Sequence, residues 1–251
     1  MDQLGEKIKK IADLLEESSH TVVLTGAGVS TDSGIPDFRS PVNGLWTVVD
    51  PELFTIQGFK ANPAEFYRAG TPFFRQIERA EPNPTHTGLG ELENRGLVKA
   101  VITQNVDGLH QKGGSKRVLE IHGTLSTASC SHCGRRVPIE EVLKDVEEGV
   151  LPPLCSECGE VMRPDVVLFG EQLSSDYAEA LEEAHRADLM MIVGSSMEVA
   201  PANQIPSFCE NLVIINRTHT FYDQKALVAL SESTSYVIKL LLEELDRRKK
   251  D

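Results

Sequence analysis

The 251-residue chain has no long apolar run, and its first residues do not predict an export signal. A membrane-spanning helix needs roughly 20 consecutive apolar residues, and no stretch of the sequence approaches that length. Residues 1–10 carry charges throughout, whereas a signal peptide has an apolar segment near its start. These absences predict a cytoplasmic protein with no membrane partner.

Basic charge is also in short supply. The chain carries 25 lysines and arginines against 38 acidic residues, which gives a formal net charge of -13. Proteins that hold a phosphate backbone concentrate basic residues on one face, so direct nucleic-acid binding is not expected. An acidic surface would favour cationic partners such as lysine-rich peptides, although acidity also serves solubility alone.

Internal repeats and low-complexity linkers are missing as well, and the 40% hydrophobic content suffices for one large core. Short apolar or β-branched runs alternate with segments of helical periodicity, which predicts an α/β fold with a Rossmann-like, doubly wound parallel sheet. The predicted strands are 21–25, 98–103, 118–121, 189–193 and 212–215. The predicted helices lie around 4–15, 87–93, 177–186 and 235–250.

Two stretches interrupt this alternation. Residues 41–84 are aromatic and punctuated by proline, which indicates a small helical insertion or flap. Residues 126–159 carry the paired cysteines around a helical pattern near 139–148. The expected organisation is a Rossmann-like domain, interrupted by this helical insertion and by a small zinc-ribbon lobe. The domain itself is expected to comprise residues 1–40, 85–125 and 160–251.

Two Cys-x-x-Cys pairs form a strong metal-binding pattern. Cys130 and Cys133 make the first pair, and Cys155 and Cys158 make the second, with residues 134–154 between them. Four thiolates at this spacing suit tetrahedral Zn²⁺, and four protein ligands leave no open position for catalysis. Because disulfides are not expected in the cytoplasm, the pattern predicts one structural zinc ion.

A glycine-rich stretch directly follows the first predicted strand. Glycines at this point let the backbone approach a pyrophosphate, which backbone amides and a helix N-terminus can stabilise. The spacing is not the Gly-x-Gly-x-x-Gly pattern of hydride-transfer enzymes, and Gly26-Ala27-Gly28 on its own is better explained as a tight turn. The residues that follow, up to Arg39, change that interpretation.

Residues 26–39, GAGVSTDSGIPDFR, resemble the signature of the sirtuin (Sir2-type) family almost letter for letter. Further motifs follow in the family's order, and several long motifs in order are more specific than any one of them. They are TQNVDGLH at 103–110, His122-Gly123, the cysteine pairs, VVLFGE at 166–171, GSS at 194–196 and Asn216. The resemblance implies an NAD-consuming protein-lysine deacylase.

The family's NAD contacts fall at the carboxyl ends of the predicted strands, where open parallel sheets bind ligands. The resemblance implies nicotinamide-end contacts for Asn105 and Asp107, a ribose contact for Gln104 and an adenosine-ribose contact for Asn216. Without it, residues 104–107 would be interpreted as an Asx-type turn and Asn216 as a helix cap. The residues expected to contact NAD are Gly26, Ala27, Gly28, Ser30, Ile35, Asp37, Phe38, Arg39, Gln104, Asn105, Val106, Asp107, His122, Gly194, Ser195, Ser196 and Asn216.

His122 receives the general-base role from the resemblance, with Asn105 as the second expected catalytic residue. Imidazole suits proton transfer near neutral pH, although a lone histidine is usually structural, as expected for His110 and His132. The family's chemistry implies that the acyl oxygen attacks the nicotinamide ribose and nicotinamide leaves. His122 then takes a proton from a ribose hydroxyl, and the final products are O-acyl-ADP-ribose and free lysine.

Two further segments, 166–171 and 197–200, resemble the family's edges that clamp an extended peptide. Main-chain pairing gives affinity with little reading of sequence, and the acyl-lysine would enter an apolar tunnel. The expected substrate contacts are Val167, Phe169, Gly170 and Val199. Ordinary strand core is the alternative interpretation of Val167 and Phe169.

The acyl group is expected to be acetyl or another neutral chain. Family members that remove acidic acyl groups carry a Tyr-x-x-Arg pair, whereas Tyr67 is followed here by Gly70 in the position of the arginine. Two other departures concern Ala200, where a larger residue is frequent, and residues 230–233, which match the family's late adenine-contacting segment poorly.

Two other functions would also use an NAD pocket. One is mono-ADP-ribosyl transfer to protein, and the other is a non-catalytic module that senses NAD or ADP-ribose and binds a partner through the zinc lobe. The full motif set with His122 favours deacylation over ADP-ribosyl transfer. A pure binding module would need no base at the position of His122. The sequence leaves the protein substrate and the oligomeric state open.

Overall fold

Nine strands form two sheets in the computed structural model, which describes residues 3–38 and 44–249. The strands are β1 (Thr21–Thr25), β2 (Ala100–Thr103), β3 (Val118–Glu120), β4 (Gly123–Cys130), β5 (Arg136–Pro138), β6 (Met162–Val166), β7 (Leu189–Val193), β8 (Leu212–Ile215) and β9 (Val228–Leu230). The main sheet is parallel in the order β3-β2-β1-β7-β8-β9, which is that of a doubly wound dinucleotide-binding sheet. The predicted Rossmann-like class is confirmed.

Helices cover both faces of the main sheet. The α-helices of the described residues are α1 (Gln3–Glu17), α2 (Ile56–Ala61), α3 (Pro63–Glu78), α4 (Pro84–Asn94), α5 (Leu109–Lys112), α6 (Ile139–Glu147), α7 (Asp176–Arg186) and α8 (Thr234–Arg248). Helices α1, α4 and α8 pack on one face, and α7 packs on the other with the 3₁₀ helix Ala202–Phe208. None of the helices in the described ranges is long and apolar enough to cross a bilayer.

Strand β1 shows why these runs form the centre of the sheet. All five of its residues are buried, as expected for a parallel strand covered by helices on both sides. Because side chains alternate along a strand, Val23 joins the core beneath α1, α4 and α8, whereas Val22 and Leu24 join the core beneath α7. The β-branched run therefore joins two hydrophobic cores.

The insertion and the cysteine segment share a separate hydrophobic core. Strands β5, β4 and β6 form an antiparallel sheet, and side chains of that sheet pack with α2, α3 and α6 in one cluster. Tyr67 is fully buried there and donates a hydrogen bond of 2.7 Å to the carbonyl of Met162. We call residues 44–80 and 123–168 together the small lobe. The domain boundaries expected from the sequence stay a prediction.

Gly88 lies where α4 packs tightly against α8. A Cβ atom added there would lie 2.2 Å from Cγ2 of Ile238, too close for any real contact. We expect Gly88→Ala to lower the free energy of unfolding by about 1–3 kcal/mol, because overpacking outweighs the better helix propensity of alanine. Denaturant unfolding would measure this, with exposed Thr87→Ala in the same helix as the control. Equal stability of the two variants would contradict the expectation.

Candidate active site

A cavity of about 580 Å³ opens between the main sheet and the small lobe, at the carboxyl ends of β1, β2, β7 and β8. Parallel sheets bind ligands at this edge, where the strand order reverses between β1 and β7. The expected contact residues that line it are Gly26, Ala27, Gly28, Asp37, Phe38, Gln104, Asn105, Val106, His122, Val167, Phe169, Gly170, Gly194, Ser195, Ser196, Val199 and Asn216.

Three expected NAD contacts among the described residues are not found in the lining. Ser30 and Asp107 lie behind Asn105, and Ile35 is buried in the core of the small lobe. Arg39 lies outside the described residues. Local chemistry explains these positions, because Ser30 and Asp107 bond to each other and Ile35 is an apolar side chain with a core to join. Their contacts with NAD stay a prediction.

Glycines are required where the loops after β1 and β7 meet. The Gly28 amide donates a 2.8 Å hydrogen bond to the Gly194 carbonyl, and a Cβ at Gly28 would lie 2.7 Å from that oxygen. Gly194 has a φ of 61° in the left-handed region, which side chains disfavour. The Gly26-Ala27-Gly28 pattern therefore allows two loops to touch at the switch point, beside any role in approaching a ligand.

The Asn105 side chain is fixed by contacts behind the cavity wall. Its Nδ2 donates to the Gly26 carbonyl at 3.2 Å and to Ser30 Oγ at 3.1 Å. A carbonyl can only accept, so the amide nitrogen is the inner atom of the side chain. Ser30 Oγ in turn donates to Asp107 at 2.6 Å. Asn105 can therefore offer its Oδ1 to a ligand in the cavity.

Asp107 combines a turn with support for Asn105. Its Oδ1 accepts from the Leu109 amide at 2.9 Å, which is the Asx-type turn considered for this stretch. Its Oδ2 accepts from Ser30. The carboxylate thus stabilises the loop and orients Ser30, and through it Asn105.

Gln104 and Asn216 are held by neighbouring loops at the carboxyl edge of β1, β2, β7 and β8, which the resemblance assigns to NAD and which we call the NAD edge. Gln104 Nε2 donates to Ser195 Oγ at 2.9 Å and to the Thr25 carbonyl at 3.3 Å. Asn216 Nδ2 donates to the Thr218 carbonyl at 2.8 Å, so its side chain closes a loop after β8 instead of capping a helix. Polar side chains that follow β2, β7 and β8 therefore line one edge of the cavity.

His122 has one ring nitrogen committed to the protein. Its Nδ1 lies 2.8 Å from the Gln104 carbonyl, which can only accept, so Nδ1 carries the proton and Nε2 is the basic nitrogen. Burial disfavours the charged ring and lowers the pKa of His122, although the bond to Gln104 partly opposes this. The neutral imidazole is therefore able to act as a base at neutral pH.

The lowered pKa of His122 predicts the acid limb of the pH profile. With His122 as the general base that the resemblance implies, activity is lost at low pH only when Nε2 gains a proton, which happens below the ordinary histidine value of 6.5. We expect kcat/KM for an acyl-peptide to be constant above that value and to fall about tenfold per pH unit well below it. Circular dichroism over the same range would separate base titration from acid unfolding. An acid limb with its midpoint above 6.5 would contradict the assignment.

His86 lies behind the site, and the sequence motifs did not reveal it. It is fully buried, accepts a 3.2 Å hydrogen bond at Nδ1 from the Asn83 amide, and lies 3.4 Å through Nε2 from Ser30 Oγ. Burial lowers the pKa of His86 to about 4 and that of the adjacent His110 to about 3, so both rings are neutral. The Asn-x-x-His spacing could have indicated the capping box of α4, but not the contact with Ser30.

His110 has the structural role expected for it. It is buried, and its Nε2 lies 2.9 Å from Thr25 Oγ1 at the end of β1. The Thr25 hydroxyl donates to Thr103 Oγ1 at 2.8 Å, which in turn accepts from the Asn105 amide at 3.1 Å. This chain of contacts fixes the ends of β1 and β2 beneath the cavity.

The small-lobe side of the cavity is an apolar channel. Its walls are Leu45, Trp46, Phe54, Phe73, Phe74, Ile77, Leu125, Val166, Val167, Leu168 and Phe169. Phe169 is 44% exposed and Val167 is half-buried, so neither is ordinary strand core. The ring of Phe38 packs at 5.3 Å against Trp46 and connects this wall with the NAD edge.

The position that corresponds to the Tyr-x-x-Arg pair of other family members is apolar. The Tyr67 hydroxyl is buried against Met162, and burial raises the pKa of Tyr67. A Cβ at Gly70 would lie 2.7 Å from the ring of Phe74, so the site has no room for a larger side chain without repacking. No carboxylate-binding pair is formed by these two residues.

The four paired cysteines form a compact tetrad. Cys130 and Cys158 have their sulfurs 3.4 Å apart, Cys133 and Cys155 have theirs 3.6 Å apart, and all four lie within 4.8 Å of one another. These distances exceed a disulfide bond of about 2.05 Å. They are close to the separation of about 3.8 Å that Zn–S bonds give in a tetrahedron. The donor set therefore fits Zn²⁺.

Each cysteine pair ends in a turn of the same kind. Gly134 and Gly159 follow the pairs with φ angles of 75° and 77°, and their amides donate to the carbonyls of Cys130 and Cys155 at 3.0 and 2.8 Å. A left-handed residue at this point favours glycine. The two turns bring both sulfurs of each pair to the same side and create the metal site from local geometry.

The fold and the cavity define a dinucleotide-binding protein with a zinc-binding small lobe, and comparison with known proteins identifies the family. Residues 26–201 match the Sir2 family. The NAD-dependent protein deacetylase 2 of Caldanaerobacter subterraneus subsp. tengcongensis is 47% identical over 232 residues, which cover 92% of this chain and 93% of that protein. The chain belongs to the Sir2 family.

Solved Sir2 structures share the whole architecture. One with a p53 peptide and NAD+ has a TM-score of 0.89 at 39% identity, covering 96% of this chain and 99% of its own. Another, with a deacetylated p53 peptide and 3'-O-acetyl ADP ribose, has a TM-score of 0.91 at 40% identity, covering 94% of this chain and 98% of its own. The likeness therefore includes both the main sheet and the small lobe.

Proposed function

We propose that the chain removes acetyl or other neutral acyl groups from protein lysines and consumes NAD in the reaction. The products would be nicotinamide, O-acyl-ADP-ribose and free lysine. The observation that carries the proposal is one cavity that joins a dinucleotide-binding sheet edge to an apolar channel, with His122 in its lining. Similar proteins named NAD-dependent protein deacetylases, and a Sir2 structure holding a deacetylated peptide with an acetylated ADP-ribose, support it.

Residues at each strand end of the NAD edge would bind a different part of NAD. The amides around Gly28 and the hydroxyls of Ser195 and Ser196 would hold the phosphates and a ribose, and Asn216 would contact the adenosine ribose. Asn105 would use its Oδ1 at the nicotinamide end, because both hydrogens of its Nδ2 point inward. NAD supplies the ADP-ribose that accepts the acyl group.

His122 acts as the general base in this proposal. Its Nε2 would take the proton of a ribose hydroxyl. Nδ1 keeps its own proton and donates it in the hydrogen bond to the Gln104 carbonyl. The hydrogen bond between Nδ1 and the Gln104 carbonyl orients the ring toward the cavity and sets which nitrogen is basic. A pure NAD-sensing module would not need such an arrangement.

A neutral acyl group suits the channel. Among the described lining residues, Arg217 is the one lysine or arginine, and it lies next to Asn216 at the NAD edge, away from the apolar walls. An acidic acyl chain would therefore be buried without a partner, which is costly. The net charge of -13 supports lysine-rich peptides as substrates, with no direct role for nucleic acid.

Zinc would have a structural task. Four thiolate ligands complete its coordination and join β4 to the end of the cysteine segment, which supports the wall of the peptide channel. Thiolate ligands persist in a reducing compartment, so we place the enzyme in the cytoplasm.

Mass spectrometry of the purified protein with NAD and an acetyl-lysine peptide tests the function. Deacetylated peptide with matching amounts of nicotinamide and O-acetyl-ADP-ribose is the expected result. Nicotinamide release with an unchanged peptide and ADP-ribosylated protein would favour ADP-ribosyl transfer. If neither nicotinamide nor free lysine appears, the result would favour a non-catalytic binding module over an enzyme.

A further inference from the structure

One ion pair joins the two ends of the segment that follows β6. Arg163 on β6 and Glu171 lie on either side of residues 166–170. The guanidinium donates from Nη1 to Glu171 Oε1 at 2.8 Å and from Nη2 to Oε2, so the pair is bidentate. The two side chains are only 24% and 21% exposed, which limits screening by solvent.

The same two side chains hold the backbone of the segment. Arg163 Nη2 donates to the Val166 carbonyl at 2.9 Å, and the Leu168 amide donates to Glu171 Oε2 at 2.9 Å. Burial opposes ionisation of Glu171, but its bonds to Arg163 and to the Leu168 amide outweigh burial and hold the pKa of Glu171 below its ordinary value. The pair is therefore charged at neutral pH and fixes the chain at two points.

Two other parts of the protein are bonded to this segment. The Val167 amide donates to the His122 carbonyl at 2.8 Å. Phe169 exchanges backbone hydrogen bonds of 3.0 Å with the Phe54 carbonyl and the Ile56 amide. The segment therefore links the general base, the helical insertion and the ion pair, while its own residues line the cavity.

We propose that Arg163 and Glu171 are positioning residues that hold residues 166–171 in the shape that receives the acyl-lysine peptide. This inference rests on the proposed function, which assigns the segment to the peptide. Main-chain pairing requires an ordered edge, and a loop that must be ordered on binding loses affinity. Loss of the pair should therefore weaken the use of peptide and leave the use of NAD unchanged.

Steady-state kinetics of two Glu171 variants test the proposal. Glu171→Ala is expected to raise KM for an acetyl-lysine peptide about tenfold, with KM for NAD and kcat changed by no more than about twofold. Glu171→Gln keeps an acceptor for the Leu168 amide and should give an intermediate KM for the peptide. This graded recovery distinguishes positioning from simple loss of a surface charge.

Glu147→Ala is the matched control. Glu147 forms a bidentate pair with Arg75, at 2.8 Å to each oxygen, in the same lobe but outside the cavity lining. Its loss should leave KM for the peptide at the wild-type value. Thermal unfolding of all variants would report any general loosening of the small lobe.

Two results would overturn the inference. One is an unchanged KM for the peptide in Glu171→Ala. The other is a fall in kcat with equal rises in KM for the peptide and for NAD, together with a lowered Tm. A merely structural pair would give this result. If the wild type releases no lysine, the proposed function fails, and fluorescence polarisation of a labelled acetyl-lysine peptide then tests the inference. Wild-type and Glu171→Ala proteins that bind this peptide equally, or not at all, would end it.

Discussion

His122→Ala is expected to lower kcat/KM for an acetyl-lysine peptide by roughly 100- to 10,000-fold, the usual cost of removing a positioned general base. Nε2 is the basic nitrogen of the ring because Nδ1 is bonded to the Gln104 carbonyl. Binding of NAD should be partly retained, since Gln104 keeps its bonds to Ser195 and Thr25. Single-turnover lysine release and NAD titration calorimetry measure the two effects separately.

His185→Ala provides the control for removing an imidazole. His185 is exposed near the end of α7 and packs on Phe208, away from the cavity lining. Its loss should leave turnover at the wild-type level. Full activity of His122→Ala would mean that another group accepts the proton, and the assignment of the base would have to be abandoned.

Removing one zinc ligand is expected to have the largest effect on folding. Structural zinc sites contribute apparent binding free energies of about 10–16 kcal/mol, which is comparable to the total stability of a domain, about 5–15 kcal/mol. Cys155→Ala should therefore abolish zinc binding, unfold the small lobe and eliminate deacylation. Zinc content by elemental mass spectrometry and peptide turnover are the measurements.

The main sheet should outlast the small lobe in that variant, because its two cores are separate from the core around the cysteines. Residual NAD binding is the expected sign of this. Cys209→Ala is the control, since Cys209 is buried near α7 and outside the tetrad. Unchanged zinc content and activity in Cys155→Ala would show that the tetrad is not a metal site.

Strands with unambiguous ends were predictable from the sequence. The predicted bounds of β1, β7 and β8 agree with the structure, because each is a continuous apolar or β-branched run. Strand β2 was expected from Val98 but begins at Ala100. The amides of Leu97 and Val98 bond to the Leu92 carbonyl at the end of α4, so this part of the apolar run closes a helix. Strand β9 was not predicted, since a three-residue run carries little signal.

The sequence could predict individual lining residues of the cavity only where the side chains of a motif face the cavity. Asn105, His122 and the Gly26–Gly28 stretch line it, and their contacts with NAD stay a prediction. Ser30 and Asp107 have residue types suited to ligand contact, yet their mutual hydrogen bond holds them behind Asn105. The pairing of Arg163 with Glu171 depends on how the chain turns after β6, which spacing alone does not determine.

The two walls of the cavity belong to different hydrophobic cores, and this decides how the protein can be divided. The described chain passes between the main sheet and the small lobe at least three times, near residues 80–84, 121–125 and 166–176. No contiguous fragment of it contains a complete wall of either kind. Exchange of acyl preference between relatives by chimera would therefore require grafting residues 44–80 and 123–170 together.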